Sequence, residues 1–159
     1  MLPVPEPTSQ TTSTAAIARA VRATEVRSIA AAPDEQNAFG RSLHVDLYDV
    51  DAARCDDINF CYQLLDDLVH HLGMHKQSPP YLFRSPDDQF PDKAGLSGWV
   101  PLIESGISIH TLTIKGFVTI DIYTCGCLDV ASALAFLCQR LSPNSFEQQY
   151  LLRGTTYHG

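Results

Sequence analysis

Two β-rich segments, Gly106 to Ile114 and Phe117 to Thr124, are separated only by Lys115-Gly116. A gap of two residues ending in Gly commits flanking strands to an antiparallel hairpin, because no crossover fits in it. With that turn, Ile114 lies opposite Phe117, His110 opposite Asp121, Ser108 opposite Tyr123 and Gly106 opposite Cys125. Directly opposed residues are about 4.5–5.5 Å apart at Cα. Ser105, at the start of one strand, is thus expected beside Cys125, at the end of the other. A hydroxyl, a thiol and an imidazole are thereby expected on two adjacent strands.

The neighbouring segments extend the sheet. Leu43, Val45 and Leu47 alternate with His44, Asp46 and Tyr48, the period of a half-buried strand. Ser97 to Glu104 reads as a strand that Pro101 pushes to an edge or bulge, and Tyr81 to Phe83 as a short one. Phe146 to Leu152 is the last. Asp51 is positioned to cap a helix running to about Leu72, with Ile58, Cys61, Leu64, Leu65, Leu68 and Leu72 on one face and Gly73 ending it. Asp129 caps a second, carrying Val130, Ala133, Leu134, Leu137 and Leu141 and stopped by Pro143. The fold class is therefore α+β: a mostly antiparallel sheet covered by two helices on one face. The other sheet face needs a cover, so a homodimer packed through sheet faces is expected.

Residues 1–38 have a different character, Pro/Ser/Thr-rich and then Ala/Arg-rich, and read as a disordered or partly helical N-terminal extension. The domain proper spans 39–159. Eleven Lys and Arg against eighteen Asp and Glu give a net charge of −7, which argues against nucleic acid or an anionic membrane as partner. Five cysteines, an odd count without a secretory signal, read as free thiols in a reducing, cytoplasmic compartment. Cys61 and Cys138 are expected in the core and Cys55 on a helix surface. No metal site is expected: Cys125-Gly126-Cys127 lacks a second pair, and solvation accounts for His70, His71 and His75 near a helix end. A serine hydrolase is disfavoured, since there is no G-x-S-x-G elbow and His110 lies within a strand.

Residues 97–126, SGWVPLIESGISIHTLTIKGFVTIDIYTCG, resemble the heart of the prokaryotic S-adenosylmethionine decarboxylase proenzymes. That family reads S-G-V-V-x-I-x-E-S-H-L-S-I-H-T-W-P-E, followed by a strand ending D-V-F-T-C-G. The likeness extends to Gly40-Arg41, to Val45 through Tyr48 and to Arg153-Gly154. The resemblance implies a zymogen that cleaves itself between Glu104 and Ser105. Ser105 would become a covalent pyruvoyl group that binds the substrate amine as a Schiff base and accepts electrons as CO₂ leaves. Nothing in the sequence points to a pyridoxal phosphate site. In this reading His110 is the base in the elimination step, Ser97 assists processing, and Cys125 is the general acid that reprotonates the product carbon. The activity implied is S-adenosylmethionine decarboxylation, a lyase step feeding spermidine biosynthesis.

Departures from the family concentrate in the substrate pocket. Gly106 replaces the His after the processed serine, Leu112 replaces the Trp, and Thr113-Ile114 replaces Pro-Glu. Phe90 is the remaining stacking candidate, one residue out of the usual spacing. Losing a stacking partner costs about 1 kcal/mol, and losing ribose hydrogen bonds to a carboxylate roughly 1.5–3 kcal/mol. Two alternatives therefore stand beside the main one. The first is a pyruvoyl-dependent decarboxylase of arginine or ornithine, with Asp87, Asp88 or Asp92 meeting the cationic end of the substrate. The second is a non-processing, non-enzymatic partner subunit.

Overall fold

The computed structural model describes residues 37–157, so the extension assigned to 1–38 lies almost wholly outside the described residues. Nine elements follow in chain order: β1 (Gly40–Tyr48), α1 (Ala52–Asp56), α2 (Ile58–His71), β2 (Tyr81–Arg84), β3 (Leu96–Leu102), β4 (Ser105–Leu112), β5 (Phe117–Thr124), α3 (Val130–Leu141) and β6 (Ser145–Arg153). The six strands form one sheet in the order β2-β3-β4-β5-β1-β6, and every neighbouring pair is antiparallel. The α+β architecture expected from periodicity is the one found.

Alternation along the strands separates the two faces. Leu43, Val45 and Leu47 of β1, Ile107 and Ile109 of β4, and Val118, Ile120 and Ile122 of β5 are buried. They pack with Leu64, Leu65 and Leu68 of α2 and with Ala133, Leu137 and Leu141 of α3 in one core. Burying each of the Val, Leu and Ile side chains among them is worth about 1.5–3 kcal/mol. Their strand neighbours point to the opposite face, which no element of the chain covers among the described residues.

The first helix differs from its expected form. Asp51 does cap a helix, accepting from Ala53 N–H, but that helix ends at Asp56. Asp57 then takes an extended conformation (φ −88°, ψ 104°) and caps α2 by accepting from Asn59 and Phe60 N–H. A second Asx cap competes with helix continuation, so one periodic stretch becomes two helices. The end of α2 is as expected: Gly73 is left-handed (φ 66°), its N–H reaches His70 C=O, and Met74 N–H reaches Val69 C=O, a Schellman closure. Cys61 is in the core as expected, and Cys138 is half-buried. Cys55 is fully buried rather than on a helix surface, because the short α1 turns it beneath β4, where Thr111 Oγ1 donates to its carbonyl.

The central hairpin is offset by two residues from the expected register. Thr113–Lys115 forms a turn of 3-10 helix, and Gly116 is left-handed (φ 56°, ψ 31°), so the last pair is Leu112 with Phe117. Tertiary contacts decide this longer connection. Val50 N–H donates to Gly116 C=O at 2.8 Å, Thr113 N–H donates to Ala94 C=O at 2.9 Å, and a Cβ at 116 would meet Val50 O at 2.6 Å. An even offset keeps each residue on its expected face but moves it along the ladder. His110 therefore opposes Thr119, Ser108 opposes Asp121, and Gly106 opposes Tyr123.

Pro101 sits where β3 has passed the end of β2. Its carbonyl accepts from Gln77 N–H on that side, so the donor that proline lacks is not subtracted from the β3–β4 ladder. In chemical denaturation, Leu64→Ala is expected to cost 2–5 kcal/mol of stability. Asp57→Ala is expected to cost about 1 kcal/mol, because only the cap is lost.

Candidate active site

β3 and β4 are joined by the two-residue turn Ile103-Glu104, across which Leu102 pairs with Ser105. The strand expected over Ser97 to Glu104 is thus shorter than its sequence suggests, because neither turn residue is Gly, Asn, Asp or Pro. Such short hairpins usually satisfy strand twist with a positive φ inside the loop. Here Ile103 and Glu104 keep negative φ, and the positive value (139°) falls on Ser105. A non-glycine residue held there carries about 1–3 kcal/mol of strain. The Glu104–Ser105 peptide therefore enters a strained serine directly.

Hydrogen bonds fix both sides of this turn. Ile103 N–H donates to His75 C=O (2.9 Å), and Cys125 N–H donates to Glu104 C=O (2.9 Å). The Glu104 carboxylate accepts from His75 Nδ1 (2.7 Å) and from His75 N–H (3.1 Å). The hydrogen bond from the His75 ring, more than any other interaction, holds the Glu104 carboxyl below its ordinary pKa. His75 is therefore engaged rather than merely solvated. His70 and His71 also have protein partners, Asp66 on α2 and Ser132 on α3.

Cys125 opposes Glu104 rather than Gly106, so the corrected register sets it across from the peptide entering Ser105. Its side chain is exposed, as is that of Cys127. Cys55 and Cys61 are of another kind: burial pushes both thiols up, Cys61 to about 12, so they stay protonated and inert. Among the described residues, no group of three or more His, Cys, Asp or Glu is arranged to hold a metal.

A second constellation lies towards the other end of β4. Ser97 Oγ and His110 Nδ1 share a hydrogen bond at 2.9 Å, their backbones paired across β3 and β4. Leu112 follows at the end of the strand, half-buried, and exposed Phe90 precedes the turn that leads into β3. At about 3.4 Å per residue, His110 is about 17 Å along β4 from Ser105. The chain thus brings Glu104, Ser105 and Cys125 together at one end and Ser97 with His110 near the other. It does not bring those two sets into contact.

Between them, the open face carries an ordered polar line. His44 Nδ1 donates to Asp121 (2.7 Å), His44 Nε2 lies 3.0 Å from Ser42 Oγ, and Ser108 donates to Asp121 (3.3 Å). Ser, His and Asp are linked here as in a hydrolase, yet Ser42 is only 4% exposed and offers no accessible nucleophile. Trp99, absent from the residues singled out by sequence, lies across the position vacated at 106. A Cβ on Gly106 would come within 2.5 Å of its Nε1. The signal was a bulky aromatic and a glycine on neighbouring strands, readable only with the β3–β4 register. Asp87, Asp88 and Asp92 are exposed, and Asp92 lies 3.6 Å from the Lys93 ammonium.

Two outcomes follow from this geometry. Gly106→Ala is expected to destabilise by about 1–3 kcal/mol, and Trp99→Val in the same chain to recover most of that loss. In an NMR titration of the Ser105→Ala chain, Glu104 is expected to titrate below the usual glutamate value. The stability this gives is present above the unfolded value and disappears as pH falls through the folded one; His75→Ala removes the difference.

A sequence model of the S-adenosylmethionine decarboxylase family matches residues 41–154. The chain is 36% identical over 117 residues to the S-adenosylmethionine decarboxylase proenzyme of Aquifex aeolicus, covering 73% of this chain and 82% of that one. It is 36% identical over 118 residues to the proenzyme of the same name from Thermoplasma acidophilum, covering 72% and 85%. The crystal structure of adenosylmethionine decarboxylase from Aquifex aeolicus superposes with a TM-score of 0.62 at 31% identity, covering 74% of this chain and 92% of that one.

Proposed function

The chain belongs to the S-adenosylmethionine decarboxylase family, and from that premise we propose that it is a self-processing, pyruvoyl-dependent S-adenosylmethionine decarboxylase that works as a two-fold homodimer. The observation that carries the reading is the strained Ser105 after a pinned glutamyl carbonyl. Ser105 Oγ attacks the Glu104 carbonyl carbon, the C–N bond breaks, and an ester forms as the Ser105 amine is released. Cys125 N–H already donates to the carbonyl oxygen, where negative charge develops in this step. A base then removes the Ser105 Cα proton and the ester C–O bond breaks, releasing Glu104 as a carboxylate. The remaining enamine tautomerises to an imine, and water hydrolyses it to a pyruvoyl group and ammonia. Once the peptide is cut, residue 105 has no φ, and the strain at 139° is gone.

The residues present fit that group. Position 105 is half-buried at the end of β4, and a thiol stands exposed across from it. A pyruvoyl group at 105 supplies an electrophilic carbonyl conjugated to an amide, an electron sink for decarboxylation. Cys125 is the general acid that returns a proton to the carbon that lost CO₂.

His110 is the base for the elimination, with Ser97 orienting its ring. At about 17 Å it serves not its own Ser105 but that of a second copy. Two sheets packed face to face about a two-fold axis set one end of β4 over the other end of its partner, which completes two sites per dimer. The open face suits such burial: Ser42, His44, Ser108 and Asp121 satisfy one another, and Trp99, Tyr81 and Leu151 add exposed apolar area. No helix among the described residues is long and apolar enough to cross a membrane.

Substrate choice rests on S-adenosylmethionine because the relatives that match most of this chain carry that name. A smaller amino acid, ornithine or arginine, is the second reading, favoured by the Trp99 indole filling space beside Gly106.

Intact mass under denaturing conditions is expected to give two fragments, 1–104 and a blocked one beginning at 105, with Ser105→Ala remaining whole. A single wild-type chain would overturn the reading in favour of a non-processing subunit. Release of labelled CO₂ is expected from S-adenosylmethionine rather than from ornithine or arginine. His110→Ala alone is expected to stall as the ester. Co-expressed with Ser105→Ala, the His110→Ala chain is expected to be cut, because its Ser105 meets the other chain's His110.

A further inference from the structure

His75 is engaged with the Glu104–Ser105 turn from the side opposite Cys125. Three of its groups touch the turn: its carbonyl accepts from Ile103, its N–H donates to Glu104 Oε2, and its ring Nδ1 donates to Glu104 Oε1 at 2.7 Å. The backbone of His75 is itself anchored. Gly73 and Met74 close α2 with the Schellman hydrogen bonds, and Met74 is buried at 9% exposure. Lys76 then bridges Leu102, which extends the β3 ladder past the end of β2.

We propose that His75 is a positioning residue for self-cleavage, holding the Glu104 side chain so that the glutamyl carbonyl stays aimed at Ser105 Oγ. The inference rests on the self-processing reading and deepens it. A two-residue turn has few ways to absorb the positive φ at Ser105. If Glu104 swings free, rotation of the Glu104–Ser105 peptide relaxes the strain and breaks the Cys125 N–H contact together. The ring hydrogen bond opposes that rotation, and it acts on the first step, the acyl shift. His110 acts on the second, the elimination. The two histidines therefore serve different bonds of one reaction.

Hydroxylamine separates these steps, because it cleaves the Glu104–Ser105 ester to a glutamyl hydroxamate and a free Ser105 amine without needing elimination. Conversion of freshly refolded chain is followed by mass, with and without hydroxylamine. His75→Leu and His75→Ala, which lack a ring donor, are expected to cleave about ten-fold more slowly than wild type under both conditions. His75→Asn places an amide N–H close to the position of Nδ1 and is expected to recover to within about threefold. His110→Ala is expected to be rescued by hydroxylamine, whereas His75→Leu is not. Wild-type rates in His75→Leu, or equal slowing in the Asn and Leu variants, would overturn the role of His75 while leaving self-processing intact. A wild-type chain that never cleaves removes the parent reading and this one with it.

Discussion

The turn at Ile103-Glu104 is the constraint on which the rest of the site depends. It must reverse the chain in two residues, with neither loop residue adopting a positive φ, and the twist it fails to supply is passed to Ser105 at 139°. Such a conformation persists only where neighbours over-determine it. Those neighbours are identifiable: His75 on one side, through backbone and ring, and the Cys125 N–H on the other. The sheet and its two long helices hold residues 75, 104 and 125 in place. A well-packed core is therefore the support for a locally unfavourable serine, and that serine is the atom source for the cofactor we propose.

A second constraint follows from the geometry of an extended strand. β4 is straight enough that Ser105 and His110 are about 17 Å apart, although only four residues separate them in sequence. A helix would have set them about one turn apart. The strand sets them near opposite ends of β4, so a one-chain mechanism using both would lack reach. In the dimer we propose, two-fold pairing of the open faces lets each subunit give a serine end to one site and a histidine end to the other. The polar line Ser42–His44–Asp121–Ser108 is satisfied within the chain, so the proposed pairing of this face leaves those groups with partners.

Around this machinery, side-chain substitutions are coupled through space rather than along the chain. Gly106 and Trp99 are seven positions apart in sequence but meet across β3 and β4. The glycine makes room for the indole, and the indole fills what the glycine leaves. Leu112 lies with the His110 end of β4, and Phe90 precedes the turn that leads into β3.

Fold class and the positions of most strands and helices were legible in the sequence because each rests on local information. Period-two burial in β1 and β5, the Asp129 cap and the Gly73 stop are all set by a few neighbouring residues. The combination of Glu104-Ser105 with His110 and Cys125 was legible as a family pattern. What the tertiary structure alone decided are matters of contact at a distance. Gly116 packing on Val50 lengthened the hairpin turn and moved Cys125 from Gly106 to Glu104. Asp57 divided the first helix and buried Cys55. The His75 clamp, the Trp99 shield and the distance between Ser105 and His110 depend on strands and loops meeting in space, and pattern within a strand carries no record of which partner residue stands opposite.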